Sequence, residues 1–243
     1  MSEPDLAPNA FPNALELCPH FGECGGCQTQ DVAYSNHIAQ KPRTLEVLFR
    51  DVWTQPISVL PSPAVAHYRN KVDFNFGLKQ YPEPPPKGFE RESLLGFTKK
   101  GEWYHPLDIQ SCLIAPKGCD QLLDAVRVWM RANDLRAFDS RSKSGFLRAL
   151  LVREGKRTGE RMVALFTSEG EWPSKTFVET IQSAFPAHSL YRGTFSRTAR
   201  GAFAAEFDGC KNLLTPHVVA YYEQPHPSGR RLLCEISYGQ GFE

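Results

Sequence analysis

The chain has 243 residues, 41% apolar and 23% charged, with a formal net charge of +1; this suits one large or two small folded domains and excludes a disordered chain or a globally basic nucleic-acid binder. No apolar run is long enough to cross a bilayer. The first seventeen residues hold Glu3, Asp5, Glu16, three prolines and no basic residue, the opposite of a secretory signal, so 1–17 are expected to form a loose leader on a chain kept in the reducing cytoplasm.

The first chemical feature along the chain is a cysteine trio, Cys18, Cys24 and Cys27, spaced by five and then two residues with glycines that let the backbone wrap closely. Three thiolates leave a soft-metal site one ligand short. Cys112 is the expected fourth, because it follows the polar turn at 108–111; Cys119 precedes a helix-like run, and Cys210 and Cys234 lie in strand-like surroundings. Structural zinc usually takes two local pairs, whereas a local trio with one remote cysteine is more typical of a [4Fe–4S] cluster. Zinc, and inert or disulfide-linked thiols, remain the alternatives. His20, inside the trio, is expected as a wall or hydrogen-bond partner of such a centre, since a histidine ligand would call for a second one.

Asp31 is then placed to cap a helix carrying Tyr34, Ile38, Leu45, Leu48 and Val52, with a kink or break at Pro42. Residues 57–60 and 68–76 follow, and in the second run Val72, Phe74 and Phe76 alternate with polar residues as in a half-buried strand. The proline-rich stretch 81–86 reads as a loop, 94–98 and 102–109 as a hairpin about a turn at 99–101, and the second strand carries Cys112 back toward the trio. A helix is expected over 117–133, with Leu122, Val126, Trp129 and Met130 as core. A strand pair at 146–152 and 161–167, a helix from Pro173 toward Phe185, and strands at 190–195, 202–207, 217–222 and 232–236 complete the chain. The class is α+β: an antiparallel sheet with a few packed helices and a cysteine-rich N-terminal cluster-binding loop, divided into 18–55 (loop and helix) and 56–236 (central domain).

Charge is unevenly spread. Between Arg127 and Arg161 ten basic residues face four acidic ones, and Arg192, Arg197 and Arg200 form a second group. Such runs are either a solvated surface or a phosphate-contacting face. Arg69 and Lys71 share the polar side of the strand at 68–76, where a fork and a point charge can meet one phosphate. Arg148 and Arg153 flank an apolar strand core beside a loop holding Lys143 between two serines. Phe146, Tyr191 and Phe195 are candidates for stacking on unpaired bases.

The stretches 18–30, 68–74, 96–101, 108–112 and 147–153, in this order, resemble the RNA uracil-C5 methyltransferase family, and most closely its iron–sulfur branch acting on 23S rRNA. The resemblance covers roughly residues 18–236 and implies a [4Fe–4S] cluster on Cys18, Cys24, Cys27 and Cys112, in a domain that grips folded RNA through residues such as Arg69, Lys71, Lys143, Arg148 and Arg153. Members of that family continue into a domain that binds S-adenosylmethionine and supplies a cysteine nucleophile and a glutamate base. Residues 237–243 correspond to its start, and neither a glycine-rich nucleotide loop nor a prolyl-cysteine pair occurs in this sequence. The chain is therefore expected not to methylate RNA alone, its partner being a separately encoded methyltransferase domain; an iron–sulfur electron-transfer or redox-sensing protein, and a decayed remnant, are the other readings.

Overall fold

The fold is that of a computed structural model, which describes residues 17–197, 203–207, 221–225 and 231–235. Nine strands and three helices are defined among them. Cys210 and Arg200 lie outside the described residues, as do the side chains of Phe195, Arg197 and Cys234.

The alternation read in the sequence produces β1 (Lys71–Leu78), which buries Val72, Phe74 and Phe76 and exposes Lys71, Asp73 and Asn75. Next come β2 (Ser93–Lys99) and β3 (Glu102–Asp108), reversed at Gly101, whose φ of 77° favours glycine. β4 (Leu147–Glu154) and β5 (Arg161–Ser168) form the second hairpin, followed by β6 (Ser189–Arg197) and β7 (Phe203–Phe207). These seven make one sheet in the order β3-β2-β1-β4-β5-β6-β7, while β8 (Tyr221–Pro225) and β9 (Arg231–Glu235) pair separately. Every pairing is antiparallel except β5 with β6, which is parallel. Within the expected antiparallel sheet this pair is the exception, because helix α3 (Ser174–Ala184) lies between β5 and β6 and returns the chain to start a strand in the same direction.

One core gathers one face of the sheet with α2 (Cys119–Ala132) and α3. α2 contributes Leu122, Leu123, Val126, Trp129 and Met130, and α3 Phe177 and Ile181, against Phe74, Leu150, Val152 and Leu165. Burial of each such side chain contributes about 1.5–3 kcal/mol. Trp129 packs edge-on to Phe177, with ring centres 5.0 Å apart, and its indole N–H donates to Thr176 Oγ1 at 3.0 Å.

β3 is one edge of the sheet and carries Pro106 opposite Thr98, with the proline close over β1: a Cβ on Gly77 would come within 2.5 Å of it. Gly96 is tighter still, since a Cβ there would overlap the Leu107 carbonyl oxygen and lie 2.7 Å from the Ile109 backbone. Gly96→Ala is therefore expected to destabilise the protein by about 1–3 kcal/mol; a thermal midpoint unchanged from the parent would show that the hairpin yields.

α1 (Tyr34–Phe49) differs from the rest. It runs unbroken through Pro42 and buries no residue, so the Ile38 carbonyl that loses its donor at Pro42 is on a helix open to water, which removes the expected reason to break. The expected cap is also corrected: Ala33, not Asp31, holds the N-cap position, and no side chain caps it.

Candidate functional site

The segment 18–27 folds as successive turns, with Phe21 N–H donating to the Cys18 carbonyl and Cys24 N–H to that of His20, both at 2.8 Å, and Gly22 at a φ of 91°. These turns lie against the β2–β3 hairpin. Gly25 N–H donates to Thr98 O at 3.1 Å and Lys100 N–H to Glu23 O at 2.8 Å, around a bridge between Cys24 and Lys99.

Cys112 reaches the same place from the far end of β3. His20 links the two segments: its Nε2 accepts the Gln110 N–H at 3.2 Å, and burial holds its pKa below the ordinary histidine value, in keeping with a neutral acceptor ring. Cys18, Cys24, Cys27 and Cys112 all line one cavity of about 240 Å³, together with Arg69 and Lys71. Burial pushes the thiols of Cys24, Cys27 and Cys112 above their usual pKa, and backbone amides oppose it: Gly26 N–H donates to Cys24 Sγ at 3.3 Å, and the amides of Ile114 and Ala115 reach Cys112. Such amides favour the thiolate over the thiol. Among the described residues no group of three His, Cys, Asp or Glu is arranged to hold a metal ion. The four cysteines share the lining of this cavity. Cys119 stands apart in the core, 2% exposed, its thiol pushed up to about 12 by burial, in keeping with the expected small hydrophobe.

The basic residues divide. Arg69 precedes β1 rather than lying in it, held by its N–H to the Ile114 carbonyl at 3.1 Å, while Lys71 opens the strand and pairs with Asp73 at 3.0 Å. Arg153 is directly opposite Lys71 on β4, so these three cations stand at one end of the sheet. Arg148 stands at the other end of β4, about 17 Å from Arg153 at 3.3 Å per residue, and Lys143 lies in the turn before that strand. The serine hydroxyls beside Lys143 are already engaged: Ser142 Oγ donates to Asp139 at 3.0 Å and bonds Ser144 Oγ at 2.7 Å. The Arg148 guanidinium lies 3.5 Å above the Phe138 ring. Of the proposed stacking residues, Phe146 and Tyr191 are partly buried against the two apolar clusters.

Other members of the basic runs belong to the interior. Arg192 is 8% exposed and donates to Thr167 Oγ1 at 3.0 Å and to the carbonyls of Ser168 and Gly170. Arg161 pairs with Glu154 at 3.1 Å and lies over the Phe185 ring. Arg127, 7% exposed, is the residue that counting charges missed. From α2 it donates to the carbonyls of Leu95 and Ile109 and pairs with Asp108 at 3.1 Å and Asp124 at 3.0 Å; Asp108 also accepts the Leu95 N–H. Arg127 thereby fixes the turn leading from β3 to Cys112. Its position four residues after Leu123 and three before Met130, on the apolar stripe of α2, was the available signal.

No protein-family model matches the chain. It is 30% identical over 159 residues to a tRNA (uracil(54)-C(5))-methyltransferase of Pyrococcus furiosus, a match over 65% of this chain and 34% of that one. It is 34% identical over 155 residues to an uncharacterized RNA methyltransferase of Protochlamydia amoebophila (63% and 33% of the two chains), and 31% identical over 198 residues to one of Nitratidesulfovibrio vulgaris (76% and 40%). The chain spans between a third and two fifths of the length of these relatives. The fold is also that of the Pyrococcus abyssi tRNA (uracil-54, C5)-methyltransferase, solved in complex with S-adenosyl-L-homocysteine, at a TM-score of 0.60 and 21% identity over 86% of this chain and 44% of that one. Among the described residues no helix is long and apolar enough to cross a membrane. Over 65% of its length, then, this chain is homologous to RNA methyltransferases that include a tRNA uracil-C5 enzyme.

Proposed function

We propose that the chain is the RNA-binding, cluster-carrying portion of a cytoplasmic RNA (uracil-C5)-methyltransferase, with 23S rRNA as its substrate, and that Cys18, Cys24, Cys27 and Cys112 hold a [4Fe–4S] cluster. The observation that carries this reading is the common cavity: four cysteines from two remote segments line it together with Arg69 and Lys71. When bound, the cluster supplies a rigid inorganic anchor. The protein's residues do the rest. His20 and Arg127 hold the turn that bears Cys112, the trio is fastened to β2–β3, and Arg69, Lys71 and Arg153 are presented to phosphate at one end of the sheet, with Lys143 and Arg148 offered to a second part of the RNA.

Methylating C5 of uracil requires a thiolate to add at C6 and a base to remove the C5 proton. Cys119, buried and with its thiol pushed up to about 12, is unsuited to be that nucleophile, and the other four described cysteines line the cavity. We read the described residues as supplying RNA and cluster binding to an S-adenosylmethionine-dependent methyl transfer.

Binding to a 23S rRNA fragment and to tRNA, each titrated over a range of salt, tests the proposal. Arg69→Ala and Lys71→Ala are each expected to weaken binding to 23S rRNA and to lower the slope of log affinity against log salt by about 1. Preference for tRNA would replace the substrate. Affinity unaffected by either change would remove the phosphate face, and RNA binding that follows a reversible change of cluster oxidation state would favour the electron-transfer reading.

A further inference from the structure

A second cavity, of about 630 Å³, lies beside the one that the four cysteines line, and Cys27 and Ile114 belong to the walls of both. Its other walls are the loop after the trio, one face of α1 and the segment 62–68. Tyr34, His37 and Lys41, at i, i+3 and i+7 of α1, fall on one side of that helix and all line the cavity. Two hydrogen bonds tie the helix to the other walls: His37 Nε2 donates to the Thr29 carbonyl at 3.0 Å, and the Tyr34 hydroxyl accepts the Ser62 N–H at 2.6 Å. The segment 62–68 carries backbone strain near its end. His67 has a φ of 53°, a left-handed conformation uncommon outside glycine, and it is held there from one side: its N–H donates to the Leu113 carbonyl and its Nδ1–H to that of Ala115, both at 2.8 Å. Past this turn, neighbouring residues serve different cavities. Tyr68 lines the larger one and remains 49% exposed, whereas Arg69 lines that of the cysteines.

From this juxtaposition, and resting on the RNA reading above, we propose that the cavity between α1 and the segment 62–68 takes one unpaired nucleotide of the bound RNA, its base stacked on the Tyr68 ring and its phosphate held by Lys41. The size fits, since cavities of about 300–1,000 Å³ enclose ligands of this class. The lining narrows the occupant further. A half-exposed tyrosine offers its ring to the face of any base, and an exposed lysine offers a point charge to phosphate. Asp31 is the only carboxylate of the lining; with the Gln28 amide it can meet the N–H and carbonyl groups on a base edge. Those edges and faces are free only in unpaired RNA, and a duplex is too wide to enter, so the cavity selects single strands. Arg69, next in the chain to Tyr68, continues the path from this cavity to the cations at the end of the sheet.

The test measures binding of the whole 243-residue chain to a single-stranded oligoribonucleotide of about ten nucleotides and to an RNA duplex of the same length. Tyr68→Ala is expected to weaken single-strand binding by about fivefold to a hundredfold, the loss of one base stack, and to change duplex binding far less. Tyr68→Phe keeps the ring and should recover most of that affinity. Lys41→Ala should lower the slope of log affinity against log salt for the single strand by about 0.7. Both side chains are exposed, so unfolding midpoints should stay at the parent value. Single-strand affinity unchanged in Tyr68→Ala, an equal loss with the duplex, or an equal loss in Tyr68→Phe overturns the proposal. So does displacement of the oligonucleotide by an equal concentration of uridine monophosphate, which would make a free nucleotide the ligand. Each of these results leaves the RNA reading standing, whereas failure of the unsubstituted chain to bind either RNA refutes that reading and this proposal with it.

Discussion

Cys112→Ser is expected to bring iron and acid-labile sulfide in anaerobically reconstituted protein down to background, even though the trio is left intact. On the proposed reading the trio supplies three of four ligands, and Cys112, from beyond β3, lines the same cavity as the trio. Metal and protein stability are linked, because a centre that binds only the folded state adds its binding free energy to folding. The unfolding midpoint of Cys112→Ser should therefore fall to that of the parent chain stripped of iron by a chelator, and stripping the variant should lower it no further. Cys119→Ala is the control, since Cys119 belongs to the core and not to the cavity; it should retain its iron while losing some packing. Full iron content in Cys112→Ser would withdraw Cys112 from the ligand set, and a parent chain that takes up zinc in preference to iron would replace the cluster.

The second large effect is expected at Arg127. Arg127→Met keeps an apolar stem on the stripe of α2 but leaves the Leu95 and Ile109 carbonyls without this donor and Asp108 without this cation. Breaking a buried ion pair from one side costs about 3–5 kcal/mol. The Asp108 side chain is 32% exposed, so its stranded charge is partly hydrated and the loss should fall near the lower figure, about 3 kcal/mol. It would appear as a lower urea midpoint with an unchanged slope. Adding Asp108→Asn should restore part of it by removing the uncompensated charge, whereas Arg127→Lys should restore little, because an ammonium cannot reproduce the planar fork. Iron retention should fall with stability, since the turn that Arg127 grips leads to Cys112. A loss below about 1 kcal/mol would mean that the pair acts as an ordinary surface bridge.

Much of this architecture was legible because the sequence alternates cleanly. Val72, Phe74 and Phe76 announce β1 and its buried face, and the spacing of Leu122, Val126, Trp129 and Met130 announces α2. Strand direction is a different matter. Period-two patterning is the same in parallel and antiparallel strands, so the parallel β5–β6 pair could be read only from the helix between them. The cysteine spacing asks for a remote thiol, and Cys112, just past β3, lines the same cavity as the trio. Counting charges proved a poorer guide. Arg127, Arg161 and Arg192 contribute to basic runs in the sequence, yet each turns inward or along the surface to a carboxylate, a carbonyl or a ring. Linear charge density does not distinguish a guanidinium that meets solvent from one that fastens two elements together. α1 was the converse case: its apolar pattern is that of a core-facing helix, but the surface it would cover is not provided by the described residues of this fold.

Pro106 gives the rim of β3 a further property. A proline is tolerated in a sheet where its missing N–H faces away from the neighbouring strand, so on this outermost strand it withholds a donor from any incoming chain. Open rims invite strands from other molecules to extend them. The hairpin that braces the cysteine turns is thus also guarded against self-association, a safeguard of most value when many copies of the newly made chain are present together.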